Sequence, residues 1–426
     1  MKYFLLVVLF LNTNILATSL SEMIDLSQNN LSIKALKHEA KVYDNLQSAA
    51  ESYNYPSLDL SYSGAYFQDK PVVYYAGQEL QMQSQDIYNG ALTLSYPLFS
   101  GFAISSQIDE AKLKKQRAIL KVDDAKRNLY LNIVKAYSSA LSIKHIISSQ
   151  EATLKATQES YKKAKGFFDA GMSSPSELYR IESMLHKTQS ELISTKNQFN
   201  VLLRQLSFMT NAKIEDVDEL PSVGMLELED LKSQALQKRP DILSLKLMIE
   251  ESEAKIDLAQ SQYYPSVHLF AQAAYQGDTP SLDGDGFTNK DKSVAGFQIN
   301  YNLFSGLKDY SQVEAAREGK LASKYALQSY IQRVNSELYG TYLTYQSLLS
   351  QKISAQAELK AQESYEHLVQ EQFTEQLTDA DVLSRAISSA AMARAFLIQT
   401  ESRLYDAYAK LLLEVDSQTF LSSLKK

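Results

Sequence analysis

At ordinary domain size a 426-residue chain would hold about three domains, yet this one carries only 14 Gly and 8 Pro, well under the usual roughly 7% and 5%. Breakers this scarce favour long uninterrupted helices over several compact domains. A formal charge of −7 with no basic block argues against nucleic-acid binding, and the absence of Cys excludes a disulfide scaffold, a thiolate metal site, a Cys nucleophile and an acylated N-terminal Cys.

Residues 1–17 predict a secretory signal: Lys2, an apolar run from Tyr3 to Leu11, then small residues at Ala17 to Ser19, with cleavage after Ala17 or after Ser19 fitting equally. The apolar run is far shorter than the roughly 20 residues of a membrane-spanning helix. No later segment is long and apolar enough either, so a membrane-spanning device would have to be a β-barrel. The first structural repeat is expected over 18–211. It opens with a helix over 20–53, started by a capping box from Ser19 to Glu22. Two strands with period-two alternation follow, about 57–66 and 91–98, with a loop over 67–90 between them. Leu58, Leu60 and Tyr62 mark one face of the first, and Leu92, Leu94, Tyr96 and Leu98 mark one face of the second. A long helix is predicted from 103 to 165, with residues such as Ile133, Ala136 and Ala140 at coiled-coil spacing. The tip lies at about 166–177, where Gly171 suits a left-handed residue and Pro175 starts the returning helix over 176–211.

A linker at 212–225 leads to the second repeat, 226–415. YPSLDL at Tyr55 returns as YPSVHL at Tyr264, an offset of 209, and LFSG at Leu98 returns at Leu303, an offset of 205. Two ordered matches at nearly constant offset indicate a duplicated unit. Its elements are a helix over 226–262, strands at about 266–275 and 294–304, a long helix over 307–370, a tip at about 371–382 and a return over 379–415. Residues 416–426 form a short tail. Aromatic residues at the strand ends, Tyr55, Tyr66, Tyr96, Phe99, Tyr264, Tyr275 and Phe304, match the girdles of a membrane barrel. Four strands cannot close a barrel, whereas three copies give twelve, so a homotrimer is expected. The fold class is therefore mainly α with a small β-barrel part: long coiled-coil hairpins plus four membrane strands per chain.

No catalytic or metal site is expected, and no cofactor. His38, His145, His186, His268 and His367 are scattered outside any catalytic motif. Asp283, Asp285 and Asp291 lie in a loop whose twelfth position from Asp283 is Val294 rather than the Glu of a calcium loop, so a solvated loop is the better reading. A secreted structural or adhesive coiled coil would explain the helices alone, but it has no use for duplicated ten-residue strands.

The residues Asn29-Asn30, Tyr55-Pro56-Ser57, Leu98-Phe99-Ser100-Gly101, Gly171 with Glu177, Arg239-Pro240-Asp241, Tyr264-Pro265-Ser266, Leu303-Phe304-Ser305-Gly306 and Asp381-Val382-Leu383, in this duplicated order, resemble the TolC-like family of outer-membrane efflux and secretion ducts. The resemblance implies a trimer with a 12-stranded barrel in the outer membrane of a Gram-negative bacterium and an α-helical tunnel in the periplasm. It implies a channel of a tripartite efflux or type I secretion system, partnered by a periplasmic adaptor and an inner-membrane RND or ABC transporter, and gated at the helix tips. Carried over, Asp381, with Asp379 beside it, falls at the pore constriction, where three copies would favour cations. The tips around Gly171, Glu177, Glu375 and Gln376 become the candidate adaptor-docking surface.

Overall fold

The computed structural model describes residues 17–287 and 290–424; the signal reading of 1–17 lies, apart from Ala17, outside the described residues. The elements in order are α1 (Leu20–Leu26), α2 (Leu31–Glu51), β1 (Ser57–Tyr66), β2 (Val72–Tyr75), β3 (Gln78–Gln81), β4 (Asp86–Phe99), α3 (Ala103–Asp169), α4 (Pro175–Thr210), α5 (Leu228–Lys238), α6 (Pro240–Gln260), β5 (Ser266–Gly277), β6 (Asp291–Asn300), α7 (Lys308–Thr374), α8 (Ala380–Leu413) and α9 (Ser417–Ser423). Among the described residues no helix is long and apolar enough to cross a membrane. The chain divides into two compact units: one holds residues up to Lys37, Leu120–Leu243 and Ser329 onward, the other His38–Ile119 and Ser244–Gln328.

In the second unit an antiparallel sheet has the order β1-β4-β5-β6. Strand β4 pairs on both sides and runs from Asp86, earlier than the expected 91, because Tyr66↔Asp86 and Gly277↔Tyr88 extend its ladders. Strand β6 ends at Asn300 rather than 304, since its only partner begins at Ser266, opposite Asn300. The stretch 67–90, expected as a loop, holds the β2–β3 hairpin, which turns through left-handed Ala76 and Gly77. Among the described residues β1 and β6 each have a partner on one side only.

Both LFSG motifs are strand-to-helix turns. Gly101 and Phe102 are consecutive left-handed residues (φ 63° and 71°), as are Gly306 and Leu307 (both 68°). Ser100 Oγ then accepts from Ile104 N at 3.2 Å, and Ser305 Oγ from Asp309 N at 3.3 Å, supplying the first turns of α3 and α7 with acceptors. A Cβ on Gly101 would lie 2.7 Å from Ser261 O, so the first motif needs Gly for space as well as for φ.

The helices expected over 20–53 and 226–262 are each broken. At the first break Asn30 Oδ1 accepts from Ser32 N (2.9 Å) and Ile33 N (3.3 Å) and restarts the helix, while its Nδ2 donates to Met209 O at 2.9 Å. At the second, Arg239 is extended before Pro240, whose ring disfavours helical geometry in the residue it follows. The Ser19/Glu22 capping box is formed on both sides.

The helical unit has two cores. The larger gathers Tyr137, Ala140, Leu206, Val217, Leu338, Leu411 and Phe420, all nearly sealed. The linker is sewn to it: Tyr137 Oη accepts from Asp218 N (2.9 Å), Tyr345 Oη donates to Gly224 O (2.7 Å) and Lys144 Nζ donates to Val217 O (2.7 Å). The smaller core lies at the tips, where Ala164, Ile181, Val369, Phe373, Ala380, Leu383, Ala386 and Ile387 from four helices pack together.

Candidate functional site

Register sorts the sheet residues into two faces. Leu58↔Leu94↔Ala271↔Ala295 and Leu60↔Leu92↔Ala273 form adjoining rows, with Tyr96↔Leu269↔Phe297 beside them. The opposite, mainly polar face carries Asp59↔Thr93↔Gln272↔Val294 and Ser61↔Ala91↔Ala274↔Lys292, with Ser95, Phe270, His268, Gln276 and Gln298. There Gln272 Nε2 donates to Thr93 Oγ1 (3.0 Å) and Lys292 Nζ to Gln276 Oε1 (2.9 Å). One face is thus apolar and open, with Leu60 81% exposed, and the other is hydrogen-bonded and mainly polar.

Aromatic residues bracket the apolar face. Tyr62, Tyr275, Tyr88 and Tyr66 stand toward the hairpin end. At the helix end Phe99, Phe102 and Tyr264 stack edge to face, with centroids 5.3 and 5.4 Å apart. Tyr55 and Phe304 at that end are exposed, while Tyr96 and Phe99 are half-buried. In the loop after β5, Asp283 accepts from Ser281 Oγ at 2.6 Å, and no group among the described residues could hold a metal ion.

The two tips share one backbone pattern. Gly171 (φ 73°) donates to Phe168 O and Met172 N to Phe167 O, at 2.9 and 2.8 Å; Gln376 (φ 58°) donates to Phe373 O and Leu377 N to Gln372 O, at 3.2 and 2.8 Å. These are Schellman closures, 205 residues apart, and the second adopts the left-handed position without Gly. Glu177 sits in the first turn of α4, and Glu375 is exposed in the second tip.

Asp379 caps α8: its Oδ1 accepts from Asp381 N and Val382 N, both at 2.9 Å. Asp381, in the first turn, is ion-paired through Oδ1 with Arg180 of α4 and through Oδ2 with Arg385 Nη2 at 2.8 Å. Arg180 and Arg385 are absent from the sequence expectation. One signal was available, because Arg385 lies one helical turn after Asp381.

A second cluster, also unforeseen, surrounds the RPD segment. Arg239 Nε donates to both Asp241 oxygens at 2.9 Å and its guanidinium pairs with Glu414. Arg127 Nη2 reaches Asp124 (2.8 Å) and Asp241 (3.4 Å), and Tyr330 Oη donates to Asp241 Oδ2 at 2.6 Å. Burial disfavours the charged form of Arg239, but Glu414 and Asp241 outweigh it and hold the guanidinium above its ordinary value. The Tyr330 phenol is pushed up by burial and by Asp241. Farther along α8, burial pushes the Asp406 carboxyl up to about 6, against the opposing hydrogen bond from Ser138 Oγ at 2.5 Å.

A sequence profile described as "Outer membrane efflux protein" matches residues 24–212 and 231–413, covering both copies of the duplicated unit. The chain belongs to the outer membrane efflux protein family. Nodulation protein T of Rhizobium leguminosarum bv. trifolii is 22% identical over 205 residues, 46% of this chain and 44% of the relative. Cation efflux system protein CusC of Escherichia coli K12 is 24% identical over 250 residues, 56% of this chain and 53% of the relative. The chain thus spans about half the length of the curated relatives it matches. A crystal structure of CusC superposes with a TM-score of 0.80 at 15% identity, over 94% of this chain and 93% of that one. The outer membrane protein VceC from Vibrio cholerae gives 0.78 at 16%, over 94% and 95%. These likenesses show the fold. As a member of that family the chain is an outer membrane efflux protein, and its place is the outer membrane.

Proposed function

We propose that three copies of this chain assemble into a passive duct, the outer-membrane channel of a tripartite efflux or type I secretion system. In this reading β1 of one copy pairs with β6 of the next to close a 12-stranded barrel, and the helical hairpins line a periplasmic tunnel. The observation that carries it is the sheet: one open apolar face, one mainly polar face, and an open strand edge at each side. Water on both sides would make so large a bare apolar face unfavourable, whereas lipid outside and a wet lumen inside suit both faces. Because β1 and β6 run antiparallel to one another, edge joining can continue the alternation around a ring.

The tips are the gate in this reading. Asp381 borders the constriction with Asp379 holding its turn, and the surfaces around Gly171, Glu177, Glu375 and Gln376 receive a periplasmic adaptor that links the duct to an inner-membrane RND or ABC transporter. Selection of cargo belongs to that transporter. The full chain, extracted from outer membranes, should migrate as a trimer that dissociates on heating and should form channels in planar bilayers. Recovery only as a soluble monomer would overturn the proposal.

A further inference from the structure

We propose that arginine balances the charge of the Asp381 constriction, so that the tip discriminates weakly between anions and cations instead of acting as a cation filter. The inference rests on the duct reading and concerns which ions the tip passes. Asp381 is not a free carboxylate. Its Oδ2 lies 2.8 Å from Arg385 Nη2, one turn along α8, and its Oδ1 pairs with the guanidinium of Arg180 from α4. Asp379 directs Oδ1 at two backbone N–H groups of its own helix.

Each chain therefore contributes two guanidinium groups and two carboxylates to this cluster, and symmetry multiplies a neutral set. Exposed ion pairs are individually weak, but they do not fix these positions. Ile181, Ala380 and Leu383, neighbours in sequence of Arg180 and Asp381, are buried in the tip core and set where both side chains emerge. A ring of bare carboxylates concentrates cations at a narrow opening, whereas a ring whose carboxylates are matched one for one by guanidinium groups does not.

The test is the reversal potential of the purified full-length trimer in planar bilayers under a KCl gradient. The wild-type ratio of K⁺ to Cl⁻ permeability should lie within about twofold of unity. Replacing both arginines, Arg180→Gln with Arg385→Gln, should raise it about threefold or more. Asp381→Asn should move it below the wild-type value, and Arg385→Lys, which keeps the charge, should leave it unchanged. Heat-modifiable migration confirms that each variant is assembled. A strongly cation-selective wild type overturns the inference, as does a double variant that conducts with an unaltered ratio. Either result leaves the duct reading standing; a wild-type chain that forms no channel removes both.

Discussion

In the helical unit Leu338, Ala386 and Leu411 are sealed from solvent, while in the sheet unit Leu60, Leu92 and Leu94 stand on an open face. Charge is distributed the other way: Arg239 and Glu414 are buried among helices, and the sheet's Asp59 and Lys292 lie on its polar face. The two cores of the helical unit follow the ordinary rule for a fold in water, in which buried ions have partners and large apolar side chains pack against one another. The sheet inverts it, leaving its large apolar side chains on an open face that only a non-aqueous neighbour would suit.

The largest way to break this contrast is to leave a buried charge without its partner. Arg239→Met removes the nearest cation from Glu414 and two hydrogen bonds from Asp241, leaving Arg127 as their shared cation, and destabilisation of about 3 kcal/mol is expected, read as a lowered thermal midpoint of the helical signal in detergent. On the sheet a charge should act according to its face rather than its burial. Leu94→Arg should cost about 2–4 kcal/mol of insertion and deplete the heat-modifiable trimer from the outer membrane, whereas the adjacent Thr93→Arg should leave trimer yield near wild type. Equal loss from both substitutions would refute the assignment of faces. The smallest effect sharpens the helical side through pH. The Asp406 carboxyl has its folded value raised from 3.8 to about 6. The folded chain therefore binds the proton more tightly than the unfolded one, and stability should fall as pH rises from about 4 to about 6. Asp406→Asn should abolish that fall and gain on the order of 1–2 kcal/mol at neutral pH, seen as a thermal midpoint that no longer depends on pH across this window.

What the sequence revealed was local or periodic. The alternation from Leu58 to Tyr62 and from Leu92 to Leu98 follows from strand geometry, and the paired LFSG motifs follow from the need for a left-handed turn and a serine acceptor before each long helix. What it concealed was assembled from distant parts. Arg127 and Glu414 are separated by the length of two hairpins, and each alone reads as an ordinary helix charge. Arg180 and Asp381 come from different tips, so no local spacing joins them. The break at Arg239 was masked because Pro240 suits the start of one helix as well as the end of another. At Gln376 the absence of Gly obscured a turn that the backbone hydrogen bonds nonetheless close in the same way as at Gly171.

The bare margins of β1 and β6 bear on the life of the chain before it meets its copies. A lone protomer displays two strand edges of unpaired N–H and C=O groups beside an apolar surface, the combination from which disordered aggregates grow. On the duct reading, completing the wall and reaching the membrane would therefore be nearly one event. On that reading, the yield of functional protein would be set by how quickly protomers meet rather than by how quickly each one folds.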